Sequence, residues 1–287
     1  MGTAALVREA RRVGTTVARL RELGAGEPEV ARAVAGRIGL TAALAEELAV
    51  RWAGDHAGIG VLRTLAAQPA TGPEWLALFA VHPDEQVRRA VAAHRATPKP
   101  TVRALAADSA ATVRRAVAAR ERVPRRVVPA LLDDPAAEVR LAMARRPGAD
   151  PTQLRVLAAD PDPEVRAAAA AHRHTPGEAL LTLAGDPDLL VLAALAGNRF
   201  TPEPALGALT EAACRGLAGR GLAGRTEPGS SDPGQLPRQI VDSLLENGRL
   251  PTPLLELFAA TEDRGLAARA ALLLKARAER AGTEHPC

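Results

Sequence analysis

The sequence predicts an all-α fold, a solenoid of two-helix repeats about 26 residues long with a helical cap at each end. Three observations lead there. Val87, Val113, Val139, Val165 and Val191 recur at a constant step of 26 residues, and the first four are each followed by an arginine: Arg88, Arg114, Arg140 and Arg166. Asp108, Asp134, Asp160 and Asp186 keep the same step, as do Leu105, Leu131, Leu157, Leu183 and Leu209. Two alanine columns follow it as well: Ala90, Ala116, Ala142, Ala168 and Ala194, then Ala92, Ala118, Ala144, Ala170 and Ala196. One such unit buries too little to offset its ordering entropy, so the copies must stack and share an interior.

In chain order, residues 3–23 read as one amphipathic helix, with Leu6, Val7, Val13, Val17 and Leu20 near helical spacing and Gly24 and Gly26 at its end. Residues 28–54 are a worn repeat, opened by Pro28-Glu29-Val30 and closed by a second helix marked by Leu44, Leu48 and Trp52. A weak copy over 56–81 places Val61, Trp75, Leu76 and Phe79 where the period needs apolar residues.

The clear copies run from 82 to about 210. Each has a polar opening such as DPDPEVR, an Ala-rich helix, a break and a second short helix. Thr97-Pro98, Thr175-Pro176 and Thr201-Pro202 predict a hydroxyl N-cap before a proline at the first position of the second helix. Pro161 and Pro163 open the first helix similarly, and Asp150-Pro151 moves the start of one second helix by a residue. The small alanine columns let adjacent helices approach toward ~8 Å.

Residues 214–237 are dominated by Gly, Pro and Ser and read as a flexible linker. Helical patterns resume at 238–280, as a cap on the solenoid or as a small separate bundle. The organisation is thus an N-terminal cap with a degenerate repeat (1–55), a repeat solenoid (56–213), the linker (214–237) and a C-terminal helical cap (238–287).

The apolar fraction of 47% is mostly Ala, Leu and Val, and only five residues are aromatic: Trp52, Trp75, Phe79, Phe200 and Phe258. The interior must therefore be built from small, close-packed side chains. The net charge of +4 is a modest excess spread over a chain with 33 acids, and it does not by itself imply nucleic acid. Cys214 and Cys287 form no CxxC pair, no apolar run approaches the ~20 residues of a membrane span, and the N-terminus lacks an export-type apolar core. These features predict a cytoplasmic protein without membrane segments.

The phrase DPDPEVRAAAAAHRHTPGEALLTLAGD at 160–186 resembles the leucine-rich repeat variant family, and the likeness extends over about residues 56–210. HEAT-like repeats share its Asp and Val-Arg features. The resemblance implies a right-handed superhelix of paired helical segments and no family-wide activity. The cysteine cluster that some members use for an iron–sulfur domain is missing here, so no cofactor is expected.

Candidate site residues follow from the pattern. Arg88, Arg114, Arg140 and Arg166 are either a phosphate-binding ladder or structural partners of Asp108, Asp134, Asp160 and Asp186; the matched periodicity favours the structural role. Lys99, Arg103, Arg125, Arg126 and Arg155 fall on or beside the second helices and form either a basic groove or an ordinary solvated surface; separately, Trp75, with Trp52 and Phe79, either fills the junction after the N-terminal cap or offers a partner an aromatic anchor. His94 and His172 share a repeat position with Arg120, Arg146 and Asn198, which suits a polar residue at a helix C-terminus better than a metal site.

No P-loop, GxSxG, HExxH or dinucleotide fingerprint is present. The expectation is a non-catalytic scaffold for a protein or peptide partner. The alternative is a HEAT-like DNA-binding protein or a glycosylase acting on alkylated bases, which would need base-stacking rings that the middle repeats lack.

Overall fold

The computed structural model describes residues 2–37, 39–52, 56–209, 242–246, 250, 252–260 and 264–283. Among the described residues every regular element is helical, and no helix is long and apolar enough to cross a membrane. The expected linker at 214–237 lies outside them. The chain divides into two compact units, Met1–Gly148 and Ala149–Cys287.

The first unit holds α1 (Thr3–Arg11), α2 (Val17–Gly24), α3 (Pro28–Ala35), α4 (Ala42–Trp52), α5 (Ile59–Ala66), α6 (Pro73–Phe79), α7 (Glu85–Ala93), α8 (Lys99–Leu105), α9 (Ala111–Ala118), α10 (Val128–Leu132) and α11 (Ala137–Arg145). The odd-numbered helices are the first helices of their repeats, and they stack in order: α1 on α3, α3 on α5, α5 on α7, α7 on α9 and α9 on α11. Each even-numbered helix packs beside an odd-numbered one. Val87, Val113 and Val139 are fully buried between layers, as are Ala92, Ala118 and Ala144, and Leu105 and Leu131 close the core from the second helices. Trp52 is buried and donates its indole N–H to the Gly24 carbonyl at 3.0 Å.

The second unit holds α12 (Pro151–Leu157), α13 (Pro163–Ala171), α14 (Gly177–Leu183), α15 (Leu189–Gly197), helical residues 203–209 and 242–246, α16 (Thr252–Ala259) and α17 (Arg264–Thr283). Here α13 packs on α15 and α16 on α17. Val191, Leu180, Leu195 and Leu206 share one buried core with Leu244, Leu255, Phe258 and Ala270, so the last helices close the end of the repeat interior instead of forming their own.

Two local expectations are corrected. Residues 3–23 are two helices, not one. Gly14 takes φ +93°, a conformation that favours glycine, and ends the run. Thr15 Oγ1 then donates to the Glu9 and Arg12 carbonyls, while Thr16 Oγ1 accepts from Arg19 N and caps α2. The α1–α2 pair is consequently a layer of its own, with α1 against α3 and α2 against α4.

The Thr-Pro hydroxyls do not cap the second helices either. Pro98 and Pro176 occupy the N-cap positions of α8 and α14. Thr97, Thr175 and Thr201 instead donate backwards to the carbonyls of Val91, Ala169 and Leu195, six residues earlier, at 2.6, 2.5 and 2.7 Å. Each adds a second donor to a last-turn carbonyl that already accepts the backbone N–H three residues on, and the buried hydroxyl is itself satisfied by this bond. Asp150 does cap its helix, accepting from Thr152 N and Gln153 N.

Candidate binding groove

The repeat junctions are set by two hydrogen-bonded columns. In the first, Arg88 forks onto Asp108 (Nε to Oδ2 2.7 Å, Nη2 to Oδ1 2.9 Å), and Arg114 and Arg166 repeat this geometry with Asp134 and Asp186. The remaining Nη1 of each arginine donates to two backbone carbonyls: His82 and Pro83 for Arg88, Asp108 and Ser109 for Arg114, Asp160 and Pro161 for Arg166. Arg140 makes the matching donation to Asp134 and Pro135. Each aspartate also accepts a backbone N–H two residues on: Ala110, Ala136, Asp162 or Asp188.

These contacts explain the carboxyl pKa directions. Burial pushes Asp108, Asp134 and Asp186 up. The guanidinium forks, the turn N–H groups and the nearby positive charge pull harder, so all three end below the ordinary value. The columns also lapse together. Leu62 and His82 occupy the positions one repeat before Arg88 and Asp108. The His82 side chain keeps only the turn, its Nδ1 accepting from Asp84 N.

In the second column a donor at the end of a first helix reaches back one repeat, after α3, α7, α9 and α15. His94 Nε2 meets the Gln68 carbonyl at 2.9 Å. Arg120 donates to Ala92 and His94, Asn198 to Ala170 and His172, and Arg37 to Ala10 and Arg12. One geometric task, carried out by His, Arg or Asn, accounts for the mixed composition of this position. Arg37 belongs to the set although it sits outside the clear period. Burial, with Arg120 and Arg95 nearby, holds the His94 imidazole below its ordinary value.

With these arginines committed to junctions, a different column faces open space. The exposed sides of α5, α7, α9 and α11 enclose a groove of about 790 Å³ in the first unit. Its floor is Ala90, Ala116 and Ala142 with Ala67, Ala93 and Ala119. Arg63, Arg89 and Arg115 run along it at a step of 26 residues, with Leu141 in the fourth place and Arg145 beside it. Arg115 lies 3.7 Å from Glu138, the groove's only carboxylate. Arg63 and Arg89 have no hydrogen bond or ion pair among the described residues. No aromatic ring lines the groove. A second concavity, about 720 Å³, lies over α1, α3 and α5 and shares Arg63 and Thr64 with the first.

Sequence reasoning singled out the arginine of each Val-Arg pair and passed over the next one. Arg89 and Arg115 directly follow Arg88 and Arg114, and the constant step linking them to Arg63 was the available signal. Lys99 and Arg103 are exposed on α8, Arg125 and Arg126 on the turn before α10, and Arg155 on α12 in the other unit. None of them lines the groove. Trp75 is half-buried with its ring centroid 5.9 Å from that of Phe79.

No curated protein matches this chain. An engineered protein solved by crystallography is 18% identical, with 94% of this chain and 77% of that one covered and a TM-score of 0.29. A designed armadillo repeat protein is 13% identical, covering 96% of this chain and 99% of its own, with a TM-score of 0.19. The model of the leucine rich repeat variant family matches residues 163–188. That span is one full period, from the start of α13 through α14 to the Asp186 turn, so one repeat of this chain is similar to a leucine rich repeat variant repeat, and every regular element among the described residues is helical.

Proposed function

We propose that the protein is a non-catalytic scaffold that holds a protein or peptide partner along the first-helix face of its N-terminal unit. The observation that carries this reading is the contrast between two neighbouring arginine columns. Arg88 and Arg114 are saturated by carboxylates and carbonyls, whereas Arg63 and Arg89 stand over an alanine floor without partners among the described residues. A row of cations on rigid helices, above a floor small enough to admit a main chain, is a recognition surface. Nucleic acid fits it less well, because no ring is available for base stacking.

The test is partner capture by the immobilised protein with and without the double substitution Arg89→Glu, Arg115→Glu. Loss of a specific protein from the captured set supports the reading. An unchanged set removes it. A retention assay with duplex and single-stranded DNA over a salt series addresses the other class: a steep loss of binding with salt would favour the nucleic-acid reading.

A further inference from the structure

We infer that the occupant of this groove is an acidic segment in polyproline II conformation, with carboxylates three residues apart and an apolar residue three places beyond the last. This rests on the scaffold reading above and specifies its partner. Successive layers of packed helices lie about 9 Å apart, so Arg63, Arg89 and Arg115 offer one cation per ~9 Å. A polyproline II chain has three residues per turn and rises about 3.1 Å per residue. Residues i, i+3 and i+6 therefore share one face at a spacing of about 9 Å, which matches the column.

Other backbone forms fail this match. A β-strand returns to the same face every second residue, about 6.6 Å along, and its i+3 residue points away. An α-helix is 10–12 Å in diameter with its side chains. Its same face recurs only every seven residues, about 10.5 Å along, so three carboxylates placed that way run about 3 Å out of step with the column.

The column also has an end. Leu141 takes the place of the fourth arginine and is half-buried, so the residue three beyond the last carboxylate meets an apolar side chain. Polyproline II carries no internal hydrogen bonds, and a proline-rich segment is already extended when free, which lowers the ordering cost of binding. The alanine floor leaves room for such a backbone.

The experiment uses the full chain and two labelled synthetic peptides of equal composition. In one, Glu-Pro-Pro is repeated three times and followed by Leu. In the other, the three Glu are placed two residues apart. Binding is read by fluorescence anisotropy at two salt concentrations. The three-residue register is expected to bind at least tenfold more tightly, with that advantage removed by Arg89→Gln and by Glu→Gln in the peptide. Leu141→Arg should favour a peptide with a fourth Glu in place of Leu.

Equal affinity for the two registers overturns the inference, as does retention of binding by the Gln peptide. If both peptides fail while partner capture still depends on Arg89 and Arg115, the polyproline register falls and the scaffold reading stands. If capture is also insensitive to those residues, both fall.

Discussion

Arg114 and Asp134, twenty residues apart in the chain, form a two-pronged ion pair at 2.7 and 2.9 Å, and the same guanidinium donates to the carbonyl of Asp108 at 2.8 Å. Side chain and backbone thus alternate: arginine to the next carboxylate, arginine to the previous aspartate's carbonyl. Only 4% of the Asp134 side chain is exposed. Removing the arginine strands a buried charge that water does not reach, and the cost of that exceeds what the pair gained. Arg114→Ala is expected to lower stability by about 3 kcal/mol, read as a drop in the urea midpoint. Arg114→Lys should recover less than half of this, because an ammonium cannot fork onto two oxygens. Full recovery by lysine would show that charge alone holds the junction.

Acid should weaken the same junctions. Asp108, Asp134 and Asp186 all sit below the ordinary value of 3.8. Between the lowered folded values and 3.8 the unfolded chain binds more protons, so the stabilisation is complete above about pH 4 and is lost as pH falls through the folded values. A stability–pH curve should drop below pH 4. Asp134→Asn should flatten that acid limb while lowering stability at neutral pH.

A separate pH effect belongs to His94. Ala96 N donates to its Nδ1 at 3.2 Å, so the ring is neutral with its proton on Nε2, which donates to the Gln68 carbonyl. Protonating Nδ1 breaks the Ala96 bond. Its folded pKa lies below the ordinary 6.5, so this contribution is present above pH 6.5 and fades as pH falls through the lowered value. His94→Asn, the solution used at Asn198, should remove the slope between pH 5 and 7 and keep the Gln68 contact. A slope that survives the substitution would place the titrating group elsewhere.

A steric prediction concerns Gly148. A Cβ there would lie 2.8 Å from the Glu121 carbonyl oxygen, a backbone atom that cannot rotate away. Gly148→Ala should cost about 1–3 kcal/mol, read by thermal unfolding. At Gly24 the clash is with the flexible end of Leu48, so Gly24→Ala should cost less.

Surface charge reversals separate the two possible basic faces. Arg103→Glu with Arg155→Glu changes one exposed second-helix cation in each unit, both outside the groove. Partner binding should be unchanged by that pair and reduced at least tenfold by Arg89→Glu with Arg115→Glu. The opposite ranking would move the binding face to the second helices.

Much of this architecture was legible along the chain. A step of 26 residues in Val, Ala, Leu, Arg and Asp can only mean one module copied in space, because each column must meet the same neighbours in every layer. The valine column at 87–191 is fully buried for that reason. The break at Gly14 was harder to see, since Val13 and Val17 keep helical spacing across it; yet Val13 is exposed, and one glycine with positive φ overrides the pattern. The threonine hydroxyls were misleading because Thr-Pro is a capping signal when only neighbours are considered, and the helix-end carbonyl that wins the hydroxyl lies six residues back.

The sequence by itself determined the module, its period, its helical content and its small-residue interior, all of which are properties of local periodicity and composition. Only the tertiary structure decided which arginines are spent on junctions and which face open space. Arg88 and Arg89 are adjacent and chemically identical, but about 100° of helical rotation points one at Asp108 and the other into the groove. What lies across from a side chain depends on how layers stack, and that information is held by the packing of the repeats together.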